Sequence, residues 1–298
     1  MAKSISIIGA GRVARSLGRR LRELGWSIGA VCSRSEKSAR KAVRYIGAGC
    51  PCAGISAESL TSPILLIAIA DDAIGEVARE LARIAGPLLR GKIILHTSGA
   101  HNFSILAPLR ACGAFTGSMH PLQTFSGTDA PPLEGKVFAM DGDSPAVRAA
   151  RRMVRGFGGV AVRIGPSKRI LYHAAGVFAA GHILALEETA VQTMMLAGMN
   201  RREAQRALLS LTRQTLDHYE KFGPRKSWTG PLPRRDYQVV AAHQEALQRV
   251  NPAFLAAYQN LSTLAACVLS VDPASARREL DIISQSLLPL KIVKGGCA

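Results

Sequence analysis

Apolar residues in the first half of the chain occur in short runs that alternate with stretches of helical periodicity. Residues 5–8 are apolar except for one serine, and residues 64–69 form the strongest apolar run in the chain. Such runs are typical of strands in a parallel sheet that is covered on both faces. Their alternation with helices predicts a doubly wound, mostly parallel α/β sheet. The predicted strands are residues 5–8, 27–32, 64–69, 92–95, 115–119, 137–140 and 160–164.

After residue 164 the strand pattern gives way to long segments with apolar residues at helical spacing. A Pro- and Gly-rich stretch, residues 223–233, is the clearest irregular connection among them. We therefore expect an α/β domain over residues 1–163 and an all-helical domain over residues 164–298. The predicted helices of the second domain are residues 167–196, 201–221, 236–250, 252–269 and 273–288.

The first predicted strand runs directly into the sequence Gly9-Ala10-Gly11-Arg12-Val13-Ala14, which opens a helix over residues 12–24. Gly9 permits a tight turn, Gly11 leaves room for a pyrophosphate, and Ala14 lets the helix pack closely on the sheet. The helix N-terminus presents unpaired N–H groups to the phosphates. A Gly-x-Gly pair alone also fits a structural turn. The strand before it and the amphipathic helix after it favour a Rossmann dinucleotide-binding domain. The predicted cofactor contacts here are Gly9, Ala10, Gly11, Arg12 and Val13.

The end of the second predicted strand distinguishes between the two nicotinamide dinucleotides. An NAD site normally has Asp or Glu here, hydrogen-bonded to the ribose 2′-hydroxyl. This chain has Cys32-Ser33-Arg34-Ser35 instead. Because a hydroxyl and a guanidinium accommodate a 2′-phosphate, Ser33 and Arg34 predict NADP, with Lys37 as an auxiliary. The alternatives are that Arg34 is a solvated side chain and that Ser35 only caps the next helix.

The net charge of +17 over 298 residues indicates an anionic partner. The basic residues are, however, scattered in pairs on predicted helices, such as Arg19-Arg20 and Arg277-Arg278, as on solvated faces. Five tyrosines and two tryptophans offer few platforms for stacking bases. The pattern argues against nucleic-acid binding and favours an anionic cofactor and an acidic small-molecule substrate.

The six cysteines have no metal-ligand spacing, and the close pair Cys50 and Cys52 is not a Cys-x-x-Cys redox motif. We expect reduced thiols, no metal and a cytoplasmic protein, because the chain begins with a strand and not with a targeting sequence. The best membrane-span candidate, residues 171–186, is short and contains Tyr172, His173 and His182. A buried helix and no membrane association are therefore expected.

Several motifs in this order resemble a bacterial family of Rossmann-like oxidoreductases with a C-terminal helical domain of unknown function (domain of unknown function 2520). The fold of that family is similar to pyrroline-5-carboxylate reductase, ketopantoate reductase and the 6-phosphogluconate dehydrogenase group. The resemblance covers nearly the whole chain and implies NADP and a homodimer formed through the helical domain. Beyond the glycine motif and Ser33-Arg34, its motifs are Asp71-Asp72-Ala73-Ile74, His96-Thr97-Ser98-Gly99, Met119-His120-Pro121-Leu122-Gln123-Thr124-Phe125, Leu171-Tyr172-His173-Ala174-Ala175, Gly230-Pro231, Arg235-Asp236 and His243.

This sequence departs from the family pattern at three places. Ala70-Asp71-Asp72 stands where Pro-Asp-Asp is expected, and Arg234-Arg235-Asp236 stands where Arg-Gly-Asp is expected. His182 replaces an Asn late in the Tyr-His-Ala-Ala helix. We expect Ala70, Asp71 and Ser98 to contact the cofactor, since the hydroxyls after residue 95 can reach the nicotinamide ribose or carboxamide.

The first helix of the second domain is predicted to cover the cleft at the carboxyl ends of the strands. At about 100° per residue, Arg169, His173 and Gly176 share one stripe. His182 points to the other side unless the helix kinks. We favour His173 as the proton donor, because imidazole titrates near neutral pH. The alternative is a hydrogen-bonded core histidine. The Lys-x-x-x-Asn pair of hydroxyacid dehydrogenases is absent, since Tyr172 stands four residues after Lys168.

Other polar residues are candidates for the same cleft. His120 and Gln123 follow a strand and can hold a substrate carboxylate or carbonyl, although a structural loop is the equal alternative. Asp236 and His243 are seven residues apart and share a helix face, where Asp236 can also be a cap. His120 and His243 are thus further catalytic candidates, and Gln123, His182 and Asp236 are substrate-binding candidates.

These features together predict an NADP(H)-dependent reductase of a carbonyl or imine on a small, carboxylate-bearing metabolite. Hydrolytic and metal-dependent motifs are absent from the sequence. Two alternatives stay open: a non-catalytic NADP-binding sensor or partner-binding protein, and a reductase that uses a deazaflavin as hydride partner.

Overall fold

The computed structural model describes residues 3–126 and 129–286. The strands are β1 (Ser4–Ile8), β2 (Ser27–Ser33), β3 (Cys50–Ala53), β4 (Ile64–Ile67), β5 (Ile93–His96), β6 (Phe115–Pro121), β7 (Val137–Gly142) and β8 (Val160–Arg163). The helices are α1 (Arg12–Glu23), α2 (Glu36–Ile46), α3 (Ile74–Ala85), α4 (Ala107–Ala111), α5 (Ser144–Gly156), α6 (Arg169–Val177), α7 (Ile183–Leu196), α8 (Arg201–Phe222), α9 (Pro224–Ser227), α10 (Tyr237–Val250), α11 (Pro252–Leu269) and α12 (Pro273–Ser286).

The strands form one sheet in the order β3-β2-β1-β4-β5-β6-β7-β8, and all neighbours are parallel except β6 and β7. The chain adds strands on one side of β1 up to β3 and then continues on its other side with β4, as in a doubly wound sheet. Ligands of such sheets bind at the carboxyl ends of the strands, where this reversal occurs. The predicted fold class, a doubly wound, mostly parallel sheet followed by helices, is confirmed.

Successive residues of the central strands contribute to two different cores. In β4, Ile64 and Leu66 pack into one apolar cluster, whereas Leu65 and Ile67 pack into another. Side chains of a strand point alternately to the two faces of the sheet, so both faces of this strand are covered by apolar groups. This explains why the sequence of β4 is continuously apolar.

Three elements of this half, β3, α4 and α5, were not predicted from the sequence. The edge strand β3 contains Pro51, and its four residues show no apolar alternation. Proline is tolerated at a sheet edge because no further strand requires its missing N–H. Helix α5 lies between β7 and β8, and its buried face includes Ala150, Met153 and Val154. The predicted end of the last helix at residue 288, the loop residues 127 and 128, and Cys297 lie outside the described residues.

The described chain divides into two compact units, one reaching to His182 and the other beginning at Ile183. This division lies later than the boundary expected after residue 163. The reason is visible at Arg169, which follows the last strand and is hydrogen-bonded to the loop after β5. The predicted helix over residues 167–196 contains a π-helical turn, Phe178–His182.

The second unit has a small core, with Val240, Ala266, Leu280 and Ile283 at its centre. Two helical stretches, Pro166–Leu196 and Pro252–Leu269, are long and apolar enough to cross a membrane by length and composition alone. The expectation of a buried helix over residues 171–186 is wrong in the described structure, because none of the apolar window within Pro166–Leu196 is buried and Leu171 and Leu184 are each more than 70% exposed. The absence of membrane association stays a prediction.

Candidate active site

The turn between β1 and α1 has the conformation that the glycine motif requires. Gly9 has a φ of +126°, and a Cβ at this position would lie 2.1 Å from the carbonyl oxygen of Ala68. Only glycine fits there, because the backbone is left-handed and the neighbouring strand end is too close. Gly11 is the N-cap of α1, and a Cβ built on it meets no atom within 4 Å. The helix N-terminus therefore faces open space with no side-chain cap.

A cleft of about 1390 Å³ begins at this turn and follows the carboxyl ends of the parallel strands. Of the predicted cofactor residues, Gly9, Ala10, Gly11, Arg12, Val13, Ser33, Arg34, Ala70 and Asp71 line it. Ser98 is not among the lining residues: it is buried, and its hydroxyl accepts the N–H of His101 at 3.0 Å. Its neighbours Thr97 and Gly99 line the cleft instead.

The end of the cleft near β2 carries the guanidinium of Arg34, which is exposed, beside Ser33 and Ser38. Ser35 is the N-cap of α2, and its hydroxyl accepts the N–H of Ser38 at 3.3 Å. The nearest carboxylate in sequence, that of Glu36, is paired with Arg40 on the same helix. Further carboxylates enter the cleft from the segment after β4, namely Asp71, Asp72, Glu76 and Glu80.

His96, the last residue of β5, shapes the loop that follows this strand. Its ring is fully buried, its Nε2 lies 3.2 Å from the carbonyl oxygen of Asn102, and its Nδ1 accepts the N–H of Ser98 at 3.2 Å. Nε2 must therefore carry the proton. Burial, followed by the charge of Arg169, lowers the pKa of His96 to about 3. The neutral ring holds both ends of the loop that places Thr97 and Gly99 at the cleft.

Gly99 is the contact point of two histidines that are far apart in sequence. A Cβ on Gly99 would lie 2.6 Å from Cδ2 of His173 and 2.7 Å from Nε2 of His120. The two rings lie 6.1 Å apart at 75°, and both line the cleft. The absence of a side chain at residue 99 is what allows β6 and α6 to bring their imidazoles together here.

His120 is also bound to Tyr172, the residue before His173 on α6. The His120 Nδ1 atom lies 2.9 Å from the Tyr172 hydroxyl, and the rings meet edge to face at 5.6 Å. Burial lowers the pKa of His120 to about 4, and the charges of Arg169 and His173 act in the same direction. Burial raises the pKa of Tyr172. At neutral pH, His120 is uncharged and Tyr172 keeps its proton.

Arg169 provides the positive charge behind this pair. Its side chain is 1% exposed, and its Nη2 donates to the carbonyl oxygen of Ser98 at 2.7 Å. Within the described ranges, its Nε and Nη1 have no hydrogen-bond partner. Burial lowers the pKa of Arg169, while the charge of Asp141 acts in the opposite direction. Asp141 is itself buried and accepts a hydrogen bond from Ser118.

The other predicted site residues lie in different surroundings. Gln123 lines the cleft together with the two histidines, whereas His182 is exposed and its ring contacts that of Phe178 at 5.0 Å. His243 belongs to the second unit, where its Nδ1 lies 2.9 Å from the Tyr258 hydroxyl. Asp236 is the N-cap residue of α10, without a capping hydrogen bond from its side chain. No cluster of metal-ligating side chains occurs among the described residues.

Sequence reasoning did not single out Arg169 or Tyr172 as functional residues. The sequence offered one signal for a role of Arg169 in the site: it stands four residues before His173 and so lies on the same stripe of the helix. Its burial could not be anticipated, because arginine is rarely fully buried. Nothing in the sequence indicates that Tyr172 contacts His120, which lies on a strand 52 residues earlier.

Comparison with protein families agrees with this architecture. Residues 2–121 match the Rossmann-like domain, and residues 136–265 match the Domain of unknown function (DUF2520). The chain belongs to the Rossmann-like proteins that carry this domain. The resemblance seen in its motifs is thereby confirmed. No curated protein matches the chain in sequence.

Solved structures of the same fold include several oxidoreductases. A Bacteroides fragilis protein provisionally named an NADP oxidoreductase is 20% identical, with a TM-score of 0.71 over 87% of this chain and 96% of that one. The imine reductase from a Pseudomonas species is 19% identical, with a TM-score of 0.62 over 94% and 100%. The Plasmodium falciparum pyrroline carboxylate reductase, solved with NADP bound, is 12% identical, with a TM-score of 0.53 over 95% and 96%. At these identities the likeness shows a shared fold.

Proposed function

We propose that this Rossmann-like protein is an NADP(H)-dependent oxidoreductase that reduces a carbonyl or imine of a small, carboxylate-bearing metabolite. The observation that carries the proposal is one continuous cleft, which joins the glycine turn and Arg34 to the His120 and His173 rings. A reductase requires a site for the nicotinamide cofactor and a proton donor beside it, and this cleft offers residues for both. The oxidoreductases among the fold relatives support the same reaction class.

The residues at the turn and at the end of β2 fit NADP. Gly9 and Gly11 leave space for a pyrophosphate at the N-terminus of α1. Ser33 and Arg34 can bind a 2′-phosphate, and Glu36 is engaged with Arg40. Along the cleft, Thr97 and Gly99 would face the nicotinamide end of the cofactor. Bound NADPH supplies the hydride.

His173 is the proposed source of the proton. It lines the cleft on α6, and it packs against Gly99 on the loop after β5. A protonated imidazole there can transfer its proton to the oxygen or nitrogen of the reduced group, so that an alcohol or amine leaves. Gln123 is placed in the same lining to hydrogen-bond a substrate carboxylate or carbonyl.

The first test is binding of NADPH and NADH, followed by nicotinamide fluorescence at two salt concentrations. We expect wild-type protein to prefer NADPH, and Arg34→Ala to weaken NADPH binding about 10- to 100-fold, the range for a charge-assisted hydrogen bond. NADH binding should change little. Arg44→Ala, which removes an exposed charge from α2 outside the cleft lining, is the matched control.

Equal losses for the two dinucleotides in Arg34→Ala would refute the NADP assignment, and no binding of either would refute the proposal as a whole. With NADPH binding established, ketoacids and cyclic imines are the substrates to screen. His173→Ala should then abolish turnover and leave the NADPH affinity intact. Undiminished turnover in that variant would contradict the role of His173, and NADPH binding without any turnover would point to a sensor.

A further inference from the structure

We propose that Tyr172 is a positioning residue that holds His120 as the Nε2–H tautomer, so that His120 offers a neutral hydrogen-bond donor to a substrate oxygen in the cleft. The tautomer follows from contacts within the protein alone. Its role toward a substrate rests on the proposed reductase function.

The first step is the direction of the hydrogen bond between the two side chains. Nδ1 of His120 and the hydroxyl of Tyr172 are 2.9 Å apart, so one of them donates. A phenol hydroxyl is a good donor and a weak acceptor, while the bare nitrogen of a neutral imidazole is a good acceptor. In the described part of the chain the Tyr172 hydroxyl has no second hydrogen-bond partner. If it accepted from Nδ1–H, the weaker acceptor would be used, and the better acceptor, then the bare Nε2, would have no donor among the described residues. The hydroxyl therefore donates, and the His120 proton lies on Nε2.

The second step is the position of Nε2. This atom and Cε1 form the ring edge that packs on Gly99, at 2.7 and 2.9 Å from the place of a Cβ there. Both His120 and Gly99 line the cleft, and no described residue accepts a hydrogen bond from Nε2. Tyr172 thus holds one side of the ring, while Nε2 lies beside Gly99 in a residue that lines the cleft, without a hydrogen-bond partner among the described residues.

The third step is charge. Among the described residues, the charged or titratable groups near His120 are Arg169, His173, Tyr172 and the buried His96. Arg169 is buried and has no carboxylate of the described residues in ion-pair contact, so its field opposes a second positive charge nearby. His120 therefore stays neutral and cannot serve as the imidazolium that donates a proton. The two histidines have different tasks: His173 is the proton source, and His120 is a fixed hydrogen-bond donor.

The chemistry of an Nε2–H group defines what it recognises. It needs a lone pair, which a carbonyl or carboxylate oxygen supplies. A protonated imine nitrogen has no lone pair to offer and would itself require an acceptor. The oxygen of the carbonyl under reduction and the oxygens of the substrate carboxylate each supply such a lone pair, and the carboxylate does so whether a carbonyl or an imine is reduced.

The tautomer can be observed without any substrate. In the full chain labelled with 15N-histidine, long-range proton–nitrogen correlation separates a protonated ring nitrogen from a bare one. His120→Gln identifies the His120 signals by their loss. We expect protonated Nε2 and bare Nδ1 in the wild type, and a mixture of tautomers in Tyr172→Phe, which keeps the ring and loses the hydroxyl.

The second unit contains a matched control. Tyr258 and His243 form a pair of similar geometry, at 2.9 Å with rings at 5.8 Å and 87°, although the Tyr258 side chain is also hydrogen-bonded to Ser262. Tyr258→Phe should change the signals of His243 and leave those of His120 in place. A protonated Nδ1 in wild-type His120, or His120 signals that are the same in Tyr172→Phe as in the wild type, would overturn the proposal.

Turnover provides the second measurement once a substrate is found. Tyr172→Phe should lower kcat/KM about tenfold with NADPH affinity unchanged, because only the orientation of the donor is lost. His120→Gln, whose amide N–H replaces Nε2–H, should retain more activity than His120→Leu. Equal activity of these two variants would refute the donor role. Failure of NADPH binding would refute the proposed function and leave the tautomer result unaffected.

Discussion

Acid should destabilise this protein through His96, and the hydrogen bonds of that side chain explain why. In the folded state Nδ1 accepts from the Ser98 N–H, so adding a proton there would place two donors against each other. The imidazolium would also be buried, near the charge of Arg169. In the unfolded chain the same ring titrates normally, with a pKa near 6.5. Between pH 6.5 and about 3 the unfolded state therefore binds more protons than the folded state.

The sign and size of the effect follow from linkage. Because the folded-state pKa is depressed, the free energy of unfolding falls as the pH drops below 6.5, and this fall ends near the folded pKa of about 3. Between pH 7 and pH 5, the contribution of His96 is about 2 kcal/mol. His120, with its pKa near 4, acts in the same direction over most of this window. A comparison with a variant that lacks His96 separates the contribution of His96 from that of His120.

The assay is urea unfolding at pH 7, 6 and 5, followed by tryptophan fluorescence in a Trp228→Phe background. The remaining Trp26 is buried in the core of the first unit and reports on that unit. His96→Gln has an amide that can donate but does not titrate. We expect the stability advantage of His96 over Gln to shrink by about 2 kcal/mol from pH 7 to pH 5. Parallel pH dependences for the two proteins would show that the buried ring does not have the pKa assigned to it.

Two further predictions concern the cleft and the assembly. Gly99→Ala places a methyl group 2.6–2.7 Å from atoms of His120 and His173, so the two rings must move by about 1 Å. Turnover should then fall about 100-fold while NADPH affinity is retained. Unchanged turnover would refute the placement of the two rings. Helix α8 carries four large apolar side chains that are each more than half exposed, namely Leu211, Leu216, Tyr219 and Phe222. We propose that a second copy of the chain covers this apolar surface. Sedimentation should then show a dimer, and Leu216→Glu should weaken that dimer. A monomer at all concentrations would refute the proposal.

The local pattern of apolar residues and glycines was sufficient to predict an element where that element depends on residues adjacent in sequence. The apolar run of β4 and the strand–glycine–helix order at Gly9 predicted their elements correctly, because burial on both faces and a tight turn each impose a local composition. Strand β3 was missed since its four residues, with Pro51 among them, carry no such composition. Its place is determined by pairing with β2, with Cys52 opposite Cys32.

The sequence by itself determined the doubly wound sheet, the helical second half and the list of candidate polar residues. Only the tertiary structure decided which of these residues meet. It brings His120 and His173 together on Gly99, keeps His182 out of the lining of the cleft, and buries Arg169 behind Tyr172. The physical reason is that periodicity reports how a side chain is oriented within its own element. The pKa, the tautomer and the partner of a histidine depend on groups that arrive from distant parts of the chain.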